Sequence, residues 1–359
     1  MKPIVDLFAG PGGWELGAAD LGVDTVGLEL DPAVCATRSY AGWPTINTDL
    51  NTYPPARNLD GLIASPPCPA FSDAGLGHGR ADIDRLTRQV LNGDSDVSGT
   101  WNHPDSVLML TPLRWIHAGR PRWVVMEQVP PALPVWQAYR HRLELDGYSA
   151  WTGILNAADY GVPQTRRRAI LVASLDRRVS CPPSTHTELP AESLFDPLEP
   201  WISAGSALDA VGLWPPGASR PAERWNLGFD RRDDLDGPTG YRERDRRPAT
   251  SPAHTITEKA RSSTWTLGER RRPRALIRTG DEPSPTILGN IGNSCNWYWE
   301  RPATTVTDAI RLTEPEGLVL QGFPPDYPIT ALSQTARWQQ IGNAIPPPVA
   351  LAALQEVTR

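Results

Sequence analysis

Ile4 to Phe8 is an apolar run that stops at Gly10, Gly12 and Gly13, and Trp14 to Leu21 then carries helical spacing. A strand, a glycine turn and a helix in this order open a Rossmann-like unit. The glycines let the backbone approach a ligand, and the helix N-terminus offers free N–H groups. A dinucleotide fingerprint would need a third glycine at position 15, which is Glu15. Asp6 to Gly12 instead reads D-L-F-x-G-x-G, with Phe8 set as an aromatic wall for a flat ring. On this stretch alone, a nucleoside-type cofactor and a plain glycine turn both fit.

The unit continues in phase. Thr25 to Leu30 is a second apolar strand ending at Glu29, an acid placed to accept hydrogen bonds from ribose hydroxyls. Thr45 to Leu50 reads as a third strand ending in Asp49, suited to accept from an exocyclic amine. Each acid alone reads equally as a helix cap. The next apolar run, in the stretch IASPPCPAFSDAG from Ile63 to Gly75, is stopped by Pro66 and Pro67 and leaves Cys68 at a strand's carboxyl end. A lone cysteine there reads first as a small hydrophobe on a rigid turn. Four strand ends in this order argue for one shared site.

Gly75 to Thr100 is rich in Gly, Asp and Ser without sustained periodicity, which predicts a mobile lid over that site. Pro104 to Gly119 has helical spacing, and Trp123 to Met126 is a strand leading into Glu127-Gln128-Val129-Pro130. Ala138 to Gly147 predicts a helix, and Ser149 to Asn156 and Ala169 to Ser174 predict strands. Arg166 and Arg168 alternate just before the last of these, so both point to one face; a solvated basic turn has the same spacing. From Leu175 to Glu300 the alternation fades. A pattern recurs there at Pro252–Ile256, Pro283–Ile287 and Pro302–Val306, and reads as three edge strands of a small sheet in a separate, mostly β and irregular domain. Leu312 to Phe323 predicts a helix, Trp338 to Pro346 a polar turn, and Pro347 to Val357 a final helix with proline in its first turn.

A length of 359 residues predicts one large domain and a smaller one. The net charge is −6, yet Arg220 to Gly280 holds 15 basic and 9 acidic residues, a local +6 that leaves −12 for the remainder. A basic region on an acidic body suits a polyanion, and a solvated charged loop has the same composition. Lys2 and Lys259 are the only lysines, so the basic character is almost all guanidinium. Cys35, Cys68, Cys181 and Cys295 form no CxxC pair, which predicts reduced thiols and no metal site. No run of about 18 apolar residues occurs and Met1 to Gly10 is not a signal peptide, so a cytoplasmic protein with no membrane partner is expected.

Seven motifs together resemble the DNA cytosine-5 methyltransferase family, in the family's order and over almost the whole chain. DLFAGPGG is similar to its cofactor loop, ELDP to its ribose-binding acid, and SPPCPAFS to its Pro-Cys nucleophile motif. MEQVP is similar to Glu-Asn-Val, with Gln128 in place of the asparagine, and Gln164 to Arg168 matches Gln-x-Arg-x-Arg. EPEGLVLQGFP and QQIGNAIPP resemble the last two blocks.

The resemblance implies a Rossmann-like α/β methyltransferase domain using S-adenosylmethionine and releasing S-adenosylhomocysteine. That domain is expected over residues 1–175 plus 331–359, with a target-recognition domain over 176–330. It implies Cys68 as the nucleophile at C6 of a flipped-out cytosine in duplex DNA. Glu127 would engage N3 and the exocyclic amine, Arg168 the base carbonyl, and Arg166 would steady the site. Phe8, Gly10 and Gly12 would line the cofactor, Glu29 take its ribose, and Asp49 its adenine amine. Pro67 would pack near the adenine, and Asn343 and Ala344 would close the pocket. The implied partner is double-stranded DNA, which would hold the protein at the nucleoid as a monomer, with room for a cognate restriction endonuclease. An RNA-methylating relative is disfavoured by the sizeable 176–300 region, and a silent DNA-binding relative by the presence of all four catalytic residues.

Overall fold

In the computed structural model, the described residues are 2–71, 78–189, 198–213, 224–228, 275–279, 283–285, 287, 298–299 and 310–358. The first half alternates β1 (Ile4–Leu7), α1 (Gly13–Ala19), β2 (Val26–Glu29), α2 (Pro32–Tyr40), β3 (Thr45–Asn47) and β4 (Gly61–Ala64). There follow α3 (Ile83–Asn92), α4 (Thr111–Gly119), β5 (Trp123–Gln128), α5 (Leu133–Leu145), β6 (Ser149–Asn156), β7 (Gln164–Thr165) and β8 (Arg167–Ser174). Beyond these lie β9 (His186–Thr187), β10 (Glu199–Pro200), α6 (Ala204–Ala210), β11 (Arg224–Gly228), β12 (Ala275–Thr279) and β13 (Ser284–Pro285). The chain closes with β14 (Tyr298–Trp299), β15 (Ile310–Arg311), α7 (Glu314–Leu320), α8 (Gln334–Asn343) and α9 (Pro347–Thr358). Among the described residues no helix is long and apolar enough to cross a membrane.

Seven strands form one sheet in the order β3-β2-β1-β4-β5-β8-β6. The first five run parallel, while β8 runs antiparallel to both β5 and β6. Such a sheet is covered on both faces, so its strands are continuously apolar rather than alternating. In β8, Ala169, Leu171 and Ala173 join one core with Trp115, Trp136 and Tyr139 of α4 and α5. Ile170 and Val172 join the other core with Trp14 of α1 and Val349 and Leu354 of α9. Each fully buried large apolar side chain contributes about 1.5–3 kcal/mol relative to exposure.

Three expectations from the sequence change here. The described part of the anticipated lid, from residue 78 onward, is anchored. Ile83, Leu86 and Val90 lie on one face of α3, which packs on α5, and Gly93 ends the helix at φ 68. Asp82 then accepts from the backbone N–H groups of Asn102 and His103, tying down the following loop. The polar turn expected over 338–346 is mostly α8, because Trp338 and Ile341 bury one helical face behind a Ser333 cap. Pro283–Ile287 does not build a distal sheet: β13 pairs in parallel with β7, Ser284 with Gln164 and Pro285 with Thr165. The other two copies of that pattern, and most of the basic region, lie outside the described residues.

The last helix lies along the first. A Cβ at Gly17 would stand 2.7 Å from Leu351 N and 3.0 Å from Pro347 O, both backbone atoms that cannot step aside. Helix propensity alone would favour Gly17→Ala by about 1 kcal/mol. Overpacking at a backbone contact costs about 1–3 kcal/mol. The clash outweighs the propensity, so Gly17→Ala should lower the melting temperature by a few degrees in a thermal melt; a rise would contradict this approach of α1 to α9.

Candidate active site

In an open α/β sheet, ligands bind beyond the carboxyl ends of the strands where the strand order reverses. Here that point lies between β1, which is followed by β2 on one side, and β4 on the other. The parallel strands deliver Phe8–Gly12, Glu29, Ser65–Cys68 and Gln128 to this edge as they end. An antiparallel strand delivers its beginning instead. β8 places Ile170 opposite Glu127 and Ala169 opposite Gln128, which puts Arg166 and Arg168 beside the end of β5.

The four expected catalytic residues therefore converge. Arg168 Nε contacts Glu127 Oε1 at 2.8 Å, and both side chains are about nine-tenths buried. Cys68 is half-buried, in a turn closed by Phe71 N–H donating to Cys68 O at 3.0 Å. Burial pushes its thiol above the usual range; Arg168 and Arg166 act against this, and Glu127 adds to it. Arg166 is fully buried and donates through Nη1 to Ile287 O at 3.3 Å, while its Nε has no partner among the described residues. Burial, and then the neighbouring Arg168, lower its affinity for its proton.

Gln128 does structural work at the base of this cluster. Its Nε2 donates to Pro66 O at 2.9 Å and its Oε1 accepts from Val129 N–H at 2.7 Å. The longer side chain at this position thus still joins the end of β5 to the Pro-Pro-Cys turn. From the other side, Trp14 Nε1 donates to Ser65 Oγ at 2.8 Å, fixing the exit of β4 to the start of α1.

Of the expected cofactor residues, Phe8, Gly10, Gly12 and Glu29 meet at the glycine loop. Phe8 holds φ 60, a left-handed backbone costing a non-glycine residue about 1–3 kcal/mol and tolerated mainly at functional sites. Gly10 holds φ 55 and has open space where a Cβ would stand. Gly12, at φ 114, meets Tyr327 and Trp43 instead, so its missing side chain serves internal packing. The Glu29 carboxylate accepts from Gly10 N–H at 2.9 Å and from Leu30 and Asp31 N–H at 2.8 and 2.9 Å. These bonds aim it at the crevice with lone pairs to spare. β3 ends at Asn47, and Thr48 N–H donates to Glu29 O, so Asp49 lies one residue beyond that link, in a turn capped by its own side chain. Pro67 adjoins the cysteine. Asn343 is exposed at the end of α8, and Ala344 is buried with its carbonyl accepting from Gln321 Nε2. The adjoining Ile345 carbonyl abuts Gly13.

This crevice fits a nucleoside-linked cofactor on its own geometry. A vacant Cβ position at Gly10, a strained aromatic at Phe8 and a backbone-fixed carboxylate at Glu29 make a cradle at the ends of β1 and β2. One contributor went unread in the sequence: Ile287 N–H donates to Gln164 Oε1 and its carbonyl holds Arg166. The recurrent Pro-x-x-Thr pattern ending in Ile or Val was the available signal, but three copies gave no means to choose.

Residues 3–359 match the family model for C-5 cytosine-specific DNA methylases. The chain is 25% identical to the type II methyltransferase M.DdeI of Desulfomicrobium norvegicum, over 99% of this chain and 88% of that one. It is 25% identical to the type II methyltransferase M.NgoMIV of Neisseria gonorrhoeae, over 99% and 96%. In fold it is similar to the S. pombe Dnmt2 methyltransferase, with a TM-score of 0.58 at 13% identity over 99% and 98% of the two chains.

The raised thiol makes a direct prediction. With Cys35, Cys181 and Cys295 replaced by serine, alkylation of Cys68 by iodoacetamide should keep quickening with pH from 7 to 9. Arg168→Met should shift that rise further toward alkaline pH. A plateau below pH 8 would show a thiolate already formed and contradict the effect of burial.

Proposed function

The chain belongs to the C-5 cytosine-specific DNA methylase family, and from that premise we propose how its residues methylate carbon 5 of cytosine in duplex DNA. The observation that carries the reading is the Glu127–Arg168 ion pair beside Cys68, at the sheet edge that also holds the glycine loop. Cytosine C5 is a poor nucleophile until electrons are added to the ring. The Cys68 thiolate adds to C6, forming a C–S bond and pushing an electron pair toward C5. Glu127 takes up N3 and the exocyclic amine and holds a proton at N3 as the ring gains charge. Arg168 binds the carbonyl at position 2, and Arg166 favours the thiolate from the buried side.

Phe8, Gly10, Gly12, Glu29, Asp49, Pro67, Asn343 and Ala344 are the residues proposed to hold S-adenosylmethionine. When bound, it supplies an activated methyl group for C5. Cys68 then leaves as thiolate once a water has taken the C5 proton, and the ring regains its double bond. A base stacked in duplex cannot present its ring atoms to a half-buried thiol, so the target cytosine is flipped into the crevice.

Residues 176–330 are proposed as the DNA-holding domain, with the arginines of 220–280 on phosphates and a few side chains on base edges. The catalytic domain is proposed as 1–175 plus 331–359, and the working form as a cytoplasmic monomer on DNA. The type II designation of the relatives supports a cognate restriction endonuclease as functional partner.

A duplex carrying fluorine in place of the C5 hydrogen of the target cytosine tests the covalent route, because no proton is then available to release the enzyme. Incubation with cofactor should give a stable protein–DNA adduct by intact mass, absent in Cys68→Ser. That variant should also lose methyl transfer to ordinary duplex by about 10³-fold or more while retaining DNA binding. An adduct formed by the variant, or none formed by the wild type, would refute the mechanism.

A further inference from the structure

The glycine loop is held from behind by side chains that no part of the reaction uses. Arg38 Nη1 donates to Ala9 O at 3.1 Å and to Gly10 O at 3.2 Å. Tyr327 Oη donates to Pro11 O and accepts from Trp43 Nε1 at 2.9 Å. Three successive carbonyls are thereby turned into the protein, which leaves the opposite side of the loop to the crevice. Arg38 is fully buried. Its Nε donates to Thr45 Oγ1 at 2.8 Å and its Nη2 to Glu15 Oε1 at 2.6 Å. The space for this guanidinium exists because Gly27, paired with Asp6 across β1 and β2, has no Cβ to occupy it.

Behind Arg38 stands a second acid. Asp6 is fully buried on β1 and its carboxyl meets that of Glu15. With both ionised, neither Asp6 oxygen nor Glu15 Oε2 has a partner among the described residues. Two carboxylates against one guanidinium would also leave a buried net charge of −1. A single proton between one Asp6 oxygen and Glu15 Oε2 removes the surplus charge and pairs two of the three orphaned atoms.

We propose that Asp6, carrying that proton, together with Glu15 and Arg38 forms a neutral buried clamp that sets the glycine loop, and that Glu15 and Arg38 are positioning residues for S-adenosylmethionine. This rests on the reading that the glycine loop holds that cofactor. The direction of the Asp6 equilibrium agrees: burial, then Glu15, raise its affinity for the proton, against the pull of Arg38. The other ionisable groups facing the clamp are Glu29, which is fixed on Gly10 N–H, and Tyr327. A buried ion pair need not add stability, and lysine cannot match the guanidinium fork that serves Glu15, Thr45 and two carbonyls at once.

Binding of S-adenosylhomocysteine, measured by calorimetry on the full chain, tests the clamp. Arg38→Lys should weaken binding tenfold or more and raise KM for the cofactor, while DNA affinity moves less than twofold. Asp6→Asn keeps a neutral side chain with a donor for Glu15 Oε2 and should bind within twofold of wild type, whereas Asp6→Ala removes the donor and should bind at least fivefold more weakly. An Asp6→Ala protein that binds as well as Asp6→Asn, or an Arg38→Lys protein with a lower melting temperature but unaltered cofactor affinity, overturns the clamp while leaving the cofactor reading in place. If Arg38→Lys does not fold, the comparison of Asp6→Asn with Asp6→Ala decides alone. A wild-type chain that does not bind S-adenosylhomocysteine overturns both.

Discussion

The reversal of β8 against β5 is the constraint on which the site depends. Parallel strands can offer the crevice only their carboxyl ends, which is how the glycine loop, Glu29 and the Pro-Pro-Cys turn arrive there. Two arginines at the start of a strand can join them only if that strand runs the other way. The Glu127–Arg168 ion pair is the direct product of this reversal. Its partners sit in adjacent strands with little freedom, so the charge pattern around Cys68 is set by sheet topology rather than by loop conformation.

Legibility in the sequence followed the range of the interaction. Strands buried on both faces announce themselves as apolar runs, and β1, β2, β4, β5 and β8 stood near their expected positions, as did the partly exposed edge strand β6. Cys68, Glu127, Arg166 and Arg168 each sit near a strand boundary, where a break in the apolar run marks the position, but the family resemblance was needed to single them out together. α3 was missed because only Ile83, Leu86 and Val90 face the core, within a stretch otherwise charged. α8 was missed because its buried face consists of Trp338 and Ile341 among glutamines and a glycine.

The remaining omissions were long-range. Arg38 sits on a helix where an arginine reads as an ordinary exposed residue, yet it is fully buried. Nothing local distinguishes it. The cause lies at Gly27 on a neighbouring strand and at Glu15 on another helix. In the same way, Tyr327 reaches the glycine loop from a position 316 residues later in the chain. Buried polar networks depend on pairings that no periodicity encodes, and they carry much of what makes a Rossmann-like sheet a particular site.

The stitch between β7 and β13 has a consequence for how such a chain can change. Leu208 of α6 shares a core with Ile287 and Leu312, and Ser284 and Ile287 are bonded to the strand that leads into Arg166. A change at Ser284 or Ile287 therefore reaches Arg166 through backbone bonds, since the Ile287 carbonyl holds that guanidinium and its N–H holds Gln164. The basic side of the cluster is thus open to retuning from a segment more than a hundred residues downstream that supplies none of its side chains.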